Sequence, residues 1–351
     1  GEPVRDLPQA YPHLRIATRD RDKLVRMRTA VSNRIHSYVD RLFPGFLSAG
    51  KSGVEPFSRA SLELMEDRFS PVQLSRRPRQ RLAQWLGRHG VTQAAERADQ
   101  LKQLAKHVLP PAPDQTVMLQ QTLARLVALY RNLEQSIDRI DREVAYWLAR
   151  TPGAWLTSIP GFGITLAAGW TAELGPPSQW HSLRQLCSYS GVVPRTKQTG
   201  GPDQEPVVGT VAQRCNKRLK NVVLQAAEKV IQYGPEEWRQ SAQQLEARGA
   251  HTAFAVAKRL IRLGKYLATT GTVYRPKALM DPDTPKATLA AHYQDVWEKL
   301  LPKWKDKAQL PEVFAPEHPL GQWRKMVQEL YALELRLPQQ KTAQKSRALA
   351  P

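Results

Sequence analysis

Leu156-Thr-Ser-Ile-Pro-Gly-Phe-Gly-Ile-Thr-Leu-Ala-Ala-Gly-Trp170 is the stretch on which the reading of the fold turns. Leu156 and Ile159 precede a Pro-Gly-x-Gly turn, and Leu166 and Ala167 follow it. Apolar residues so placed on both sides of a tight turn predict two short helices packed against each other. Gly161 and Gly163 admit positive φ and put no side chain in the turn. The amides of such a turn, with the N-terminus of the next helix, can face a phosphate. Pro160, Gly161 and Gly163 are therefore candidate contacts to a nucleic-acid backbone.

Upstream lies the clearest periodicity in the chain. Leu119, Leu123, Leu126, Tyr130, Leu133, Ile137, Ile140, Val144 and Trp147 step by four and three. A seam sustained in this way predicts a coiled coil or long helical hairpin, and a long helix in a bundle is the alternative. Either needs a partner helix, from residues 72–107 or from a second subunit. Pro110-Pro111-Ala112-Pro113 marks a boundary before it, and Thr151-Pro152-Gly153 closes it. Asp138 and Asp141 on this helix read as solvated or salt-bridged acids. An amphipathic helix is expected over 18–42, with Leu24, Met27, Val31, Ile35, Tyr38 and Leu42 on one face and arginines crowding the others. Before it, Gly1 to Pro12 reads as an extended lead-in. Shorter helices are expected near 58–66, 72–88 and 92–107, and a later one over 251–268. Gly191-Val192-Val193 and Val207-Val208 suggest a short β-ribbon. Leu337 to Pro351, basic and poor in apolar residues, reads as a disordered tail.

The composition narrows the partner. Among 351 residues, 52 Lys and Arg stand against 32 Asp and Glu, a formal net charge of +20. So large an excess favours a polyanion, since each neutralised phosphate releases condensed counterions. Hydrophobic residues at 41% suffice for a core and argue against wholesale disorder. Two cysteines, Cys187 and Cys215, exclude a disulfide framework or a cysteine-based zinc site and suit a reducing compartment. No signal peptide and no membrane-spanning run is legible. DNA is thus the expected partner, no membrane is expected, and the expected location is cytoplasmic, associated with the nucleoid. The Pro160–Gly163 turn with its flanks resembles the helix-hairpin-helix module, which grips the DNA backbone without reading sequence.

Two further constellations carry chemistry. In Val192-Val-Pro-Arg-Thr-Lys-Gln-Thr-Gly-Gly-Pro202, Arg195 and Lys197 flank a hydroxyl-bearing loop, and Gly200 and Gly201 let a phosphodiester approach Thr199. The cations would stabilise charge on a transferring phosphoryl group, and the hydroxyl could act as nucleophile. A helix is expected from about Val211 to Ile231, with Val211, Cys215, Leu219, Val222, Ala226 and Val230 as its apolar stripe. Arg214, Lys217, Arg218, Asn221 and Gln225 then fall on an acid-free face suited to nucleic acid. Cys215 reads there as a core residue.

Taken in order, several segments resemble the IS-one-ten family of insertion-sequence transposases. They are Ser158-Ile-Pro-Gly-Phe-Gly163, Trp180-x-Ser182-x-x-Gln185-Leu186, Tyr189-Ser-Gly-Val-Val-Pro-Arg195, Gln198-Thr-Gly-Gly201 and Cys215-Asn-Lys-Arg-Leu-Lys220. Arg21 to Ile35, Leu42-Phe-Pro44 and Ala253 to Leu260 are similar to flanking parts of the same family. The resemblance spans about residues 14–275. It implies a transposase or recombinase that forms a covalent bond to DNA through a serine, after an N-terminal RuvC-like domain whose Asp-Glu-Asp-Asp set binds Mg²⁺. It also implies a guide (bridge) RNA and homo-oligomers assembled through the coiled coil. The carboxylate set should lie upstream of the Arg-rich helix, so no metal ligand is carried over, and the chain is expected to be truncated at its N-terminus and inactive alone. The family serine position is Thr199 here. Either Thr199 serves as nucleophile, which is the reading adopted, or a neighbouring Ser188 or Ser190 does.

The expected fold is mainly α, with a helical N-terminal segment, a long coiled coil, and a compact helical domain carrying a helix-hairpin-helix motif and a short β-ribbon. The expected segments are a helical remnant over 1–110, the coiled coil over 111–150, the transposase domain over 151–275 and a C-terminal extension over 276–351. The alternative function is a non-catalytic nucleic-acid-binding protein assembled through the coiled coil.

Overall fold

A computed structural model describes residues 9–67, 69–197, 207–211, 214–248, 251–281, 283–308, 311–326 and 328–329. The fold is mainly α, and among the described residues no helix is long and apolar enough to cross a membrane. Contacts divide the chain into two compact units, one of Arg21–Arg139 and one of Gly1–Asp20 with Ile140–Pro351. The division falls within two long helices, α1 (Ala10–Leu42) and α7 (Pro113–Ala149), rather than at Pro110.

Between them come α2 (Ala49–Ser52), α3 (Arg59–Glu66), α4 (Pro71–Arg76), α5 (Arg79–Arg88) and α6 (Ala94–His107). In the unit of Arg21–Arg139, Val31, Ile35, Val39 and Leu42 of α1 share one core with Leu62, Leu64, Leu82, Leu86 and Leu101. Phe43, Phe46 and Phe69 pack as a ring trio, with centroids 4.6–5.6 Å apart. Leu123, Leu126, Tyr130 and Leu133 of the α7 seam are buried in this same core. From Leu123 to Leu133 the seam is thus packed against helices of its own chain. Each such side chain contributes about 1.5–3 kcal/mol by leaving water.

Several helix limits differ from those expected. α1 begins at Ala10, not after Pro12, because a proline in the first turn gives up an N–H that has no helical partner there. The expected 72–88 helix is two helices. Pro78 holds Arg77 extended, at φ −63° and ψ 132°, so α4 must end. Ser58 and Ser70 cap α3 and α4, accepting from the amides of Ser61 and Gln73. The connection through Pro110 to Ala112 joins α6 to α7.

The other unit centres on a 3-10 helix (Pro152–Ser158), α8 (Ile164–Leu174), α10 (Lys217–Tyr233) and α12 (Thr252–Thr270), which pack on one another. α9 (Leu183–Tyr189) lies beside α12, and α11 (Glu236–Ala247) beside α10 and α12. Strands β1 (Pro194–Lys197) and β2 (Val207–Val211) pair antiparallel, Pro194 opposite Val211 and Lys197 opposite Val207, with an irregularity between Pro194 and Thr196. The first strand therefore starts after Val193, not within Gly191-Val192-Val193. Residues beyond 275 are not a mere appendage. In α13 (Lys286–Ala308), Trp304 is buried with its Nε1–H donating to Thr157 Oγ1 at 3.4 Å, and Trp155 stacks on Trp323 at 5.8 Å. The tail at 337–351 lies outside the described residues.

The opening motif is built differently from its expectation. The segment before its turn is a fully buried 3-10 helix, not an α-helix. Gly161 has φ +89°, but Gly163 has φ −73° and serves as the N-cap position of α8. A Cβ on Gly161 would stand 2.6 Å from the Lys229 carbonyl oxygen. This glycine therefore lets the turn lie against the α10 backbone. Nothing lies within 4 Å of a Cβ built on Gly163, which is exposed.

Candidate nucleic-acid interface

The site forms where α8 ends and α10 begins. Glu173, in the last turn of α8, is 5% exposed. Arg19 reaches it with two hydrogen bonds, Nε to Oε1 at 2.9 Å and Nη2 to Oε2 at 3.0 Å. Asn216 Nδ2 donates to Glu173 Oε2 at 2.8 Å and lies 2.9 Å from the Tyr189 hydroxyl. Burial opposes ionisation of Glu173. The hydrogen bonds from Arg19 and Asn216 and the charges of Arg19 and Arg15 outweigh it, so its pKa lies below the ordinary glutamate value. A buried carboxylate satisfied in this way is a fixed structural charge rather than a proton donor.

That carboxylate orients Asn216, and Asn216 starts α10. Its Oδ1 accepts from the amides of Arg218 at 3.1 Å and Leu219 at 3.0 Å, an N-cap contributing about 1 kcal/mol. The helix expected from Val211 therefore begins at Lys217, while Val211 is in a strand and Cys215 is half-buried beside Gly191 instead of in the helix stripe. The buried positions of α10 are Leu219, Val223, Ala226, Ala227 and Val230, so Val223 takes the place expected of Val222. Lys217, Asn221 and Gln225 are exposed and Arg218 is half-buried.

Above this network lies an open groove of about 1110 Å³. Its walls carry Arg19, Arg184, Arg214, Gln185, Ser188 and Asn216, and Trp180 and Tyr189 lie 5.1 Å apart at one side. Trp180 is held by its Nε1–H donating to the Leu174 carbonyl at 2.7 Å, and Lys265 Nζ donates to the Trp180 carbonyl at 2.8 Å. Ser182 caps α9 by accepting from the Gln185 amide at 3.2 Å. In the sequence the β-ribbon falls between two groove-lining segments, since β1 begins five positions after α9 ends at Tyr189 and Arg214 comes three positions after β2.

The expected site residues are thus only partly brought together. Arg214 lines the groove, and Lys217, Arg218 and Asn221 follow on the first turns of α10. Pro160, Gly161 and Gly163 lie elsewhere. Gly161 faces Lys229, which is about 20 Å from Asn216 along α10 at 1.5 Å per residue. Arg195 and Lys197 belong to β1, and Thr199 lies outside the described residues. Ser190 is buried and its hydroxyl lies 2.8 Å from the Leu186 carbonyl, so it is committed to the helix end and is not a free nucleophile. Ser188 is exposed in the groove. The Cys187 thiol is pushed up by burial, against the opposing charges of Lys258 and Arg262. Among the described residues no three His, Cys, Asp or Glu side chains converge as a metal would require. Asp141 pairs with Lys307 at 3.1 Å.

Arg19, Arg184, Glu173 and Asn216 were not among the expected site residues. Only Asn216 carried a local signal, an Asn directly before a basic, helix-forming run.

Residues 153–243, which include most of the groove, match the family described as Transposase IS116/IS110/IS902 family. The chain is 30% identical over 175 residues to the transposase for insertion sequence element IS1328 of Yersinia enterocolitica, covering 48% of this chain and 50% of that protein. It is 25% identical over 225 residues to an uncharacterized 44.8 kDa protein of insertion element IS116 from Streptomyces clavuligerus, covering 62% and 53%. It is 27% identical over 174 residues to a probable family 20 transposase of Pseudomonas aeruginosa, covering 47% and 48%. The chain therefore spans about half the length of the curated relatives it matches.

Proposed function

We propose that this chain is the DNA-handling part of an insertion-sequence transposase, and that the groove above Glu173 holds the DNA backbone. One observation carries the reading. Trp180, Ser182, Gln185, Tyr189, Cys215 and Asn216 come from motifs scattered over 37 positions of the family-matched stretch, yet all line one groove that also holds Arg19, Arg184 and Arg214. Phosphates would sit against those arginines and Lys217 at the N-terminal turn of α10, where the positive end of the helix dipole favours an anion.

Thr199, on the segment joining the far ends of β1 and β2, is proposed as the nucleophile. Its hydroxyl oxygen would bond to phosphorus while a phosphorus–oxygen bond to the sugar breaks. The hydroxyl proton passes to a base and the departing sugar oxygen takes one up. Arg195 and Lys197 would offset charge on the phosphoryl oxygens. Mg²⁺ chemistry, guidance by RNA and homo-oligomeric assembly enter this proposal through the family resemblance alone.

The test uses labelled duplex DNA from the element's ends and the full chain. Arg184→Gln with Arg214→Gln should weaken duplex binding at least tenfold and flatten its salt dependence. In denaturing gels of a full-length version that carries the RuvC-like domain implied by the resemblance, a nuclease-sensitive protein–DNA adduct should vanish with Thr199→Ala. Duplex binding indifferent to the two arginines would refute the groove, and an adduct that survives Thr199→Ala would exclude that nucleophile.

A further inference from the structure

A second basic groove lies between α11 and α12, and it shares no lining residue with the first. Its volume is about 980 Å³. Trp238, Leu267 and Val273 are buried along it. Arg259, Arg262 and Lys277 stand exposed on its walls, and Arg275 is half-buried there, its Nε donating to the Tyr293 hydroxyl at 2.6 Å. A smaller trough of about 180 Å³ continues it, sharing Ser241, Gln244 and Arg259 and adding Arg248. Tyr266, 58% exposed, and Met280, 57% exposed, present flat and apolar surface on the wall.

The lone carboxylate among the described lining residues is already committed. Glu237 accepts from the Tyr274 hydroxyl at 2.7 Å on Oε1 and from the Lys277 amide at 3.0 Å on Oε2, while Trp238 Nε1–H donates to the same Tyr274 hydroxyl at 2.9 Å. Its hydrogen bonds fix the groove floor and leave the cations without a matching acid. On α11, by contrast, Arg239 is paired with Glu236 at 2.7 Å. Five like charges gathered along one trough repel one another, and a polyanion would relieve that cost. An acidic peptide would use the charge but not the exposed ring. A duplex would reach the charge but keep its bases stacked inside. A single strand uses both, with phosphates on Arg and Lys, base edges near Gln244 and Ser241, and an unpaired base on Tyr266.

We infer that the α11–α12 groove binds a short single-stranded stretch of nucleic acid, distinct from the backbone contact proposed at the Glu173 groove. Arg259 and Tyr266 are about 10 Å apart along α12, a span fitting a few nucleotides. Most of the groove lies beyond residue 243, where the family match ends.

Fluorescence anisotropy with labelled oligothymidylate, oligouridylate and duplex DNA tests this on the full chain. The variant Arg259→Gln/Arg262→Gln/Lys277→Gln should bind single strands at least tenfold more weakly at physiological salt. Its log–log salt slope should be shallower by about 2, at about 0.7 for each phosphate no longer neutralised. Tyr266→Ala, which removes an exposed ring and leaves the core untouched, should weaken single-strand binding about fivefold or more. Loss of oligothymidylate or oligouridylate binding identifies which strand the groove prefers, and either supports the inference. Unchanged affinity and slope in the triple variant, an equal loss of duplex binding, or full competition by polyglutamate would overturn it. The Arg184→Gln/Arg214→Gln variant should keep its single-strand affinity, so failure of the first groove and failure of the second remain distinguishable.

Discussion

Gly161→Ala separates two accounts of the Pro160–Gly163 turn. If the glycine is there to admit a phosphate, alanine should spare stability and harm DNA binding. The structure says the reverse. At φ +89° an L-residue is strained by about 1–2 kcal/mol. The new Cβ would also stand 2.6 Å from the Lys229 oxygen, 2.8 Å from its carbonyl carbon and 3.1 Å from the Val230 nitrogen. Those atoms are helix backbone and cannot swing aside, so the turn or α10 must shift, at about 1–3 kcal/mol for overpacking. Together these cost about 2–5 kcal/mol, which lowers a thermal midpoint by roughly 4–20 °C for a unit of about 200 residues. Gly163→Ala is the control. With φ −73° and open space around it, alanine lowers the conformational entropy of the unfolded chain and loses some N-cap quality, leaving stability within about 1 kcal/mol of wild type. Thermal melts followed by far-UV circular dichroism and by tryptophan fluorescence read both variants. Wild-type melting of Gly161→Ala together with lost duplex binding would show that the packing argument is wrong and that the turn faces a ligand.

Two further outcomes are expected. Glu173→Gln should lower stability at neutral pH, modestly because Arg19 is 45% exposed and screened by solvent. The folded-state pKa of Glu173 is depressed, so its contribution is present above the ordinary glutamate pKa of about 4.3 and is lost as pH falls through the folded value. The gap between wild-type and variant urea midpoints should therefore close from about pH 5 towards about pH 3; a gap constant over that range would contradict the assignment. Leu123→Ala, at a position 0% exposed, should cost about 2–5 kcal/mol, with the wild-type melting midpoint unchanged on dilution. A wild-type midpoint that climbs with protein concentration would instead mean that the α7 seam is completed by another subunit.

Periodicity carried most of the helices because they are amphipathic and locally encoded. The α7 seam is an instance: its spacing announced a buried stripe, and Leu123 to Leu133 are buried. What spacing could not say was which surface covers it, since a neighbouring subunit and a helix of the same chain present the same leucines. The break at Arg77-Pro78 was legible in principle, as the residue before proline is held extended. The start of α10 is not legible from spacing, because Val211 and Cys215 continue the four-residue spacing of Leu219, whereas the Asn216 side chain takes the amides that would have joined an earlier turn. Glu173 had no sequence signal at all. It is one acid in an apolar helix, and Arg19 lies 154 positions away. The groove was hidden for the same reason, being assembled from α1, α9 and the start of α10.

The buried acid also explains how a cationic groove can be stable without a bound anion. Arg19, Arg184 and Arg214 would repel one another across an open space, and α10 points its positive end and Lys217 to the same region. Glu173 offsets part of this from beneath, yet it is 5% exposed and its hydrogen-bonding capacity is taken by Arg19 and Asn216. It therefore holds the arginine and the cap in place without presenting a carboxylate to whatever enters the groove. A surface acid would balance the charge equally well but would compete with a phosphate for Arg214 and Arg184. Placing the compensation under the floor keeps Arg19 and the cap fixed and leaves Arg184 and Arg214 open to an anion, which is how a site can be partly preorganised before one arrives.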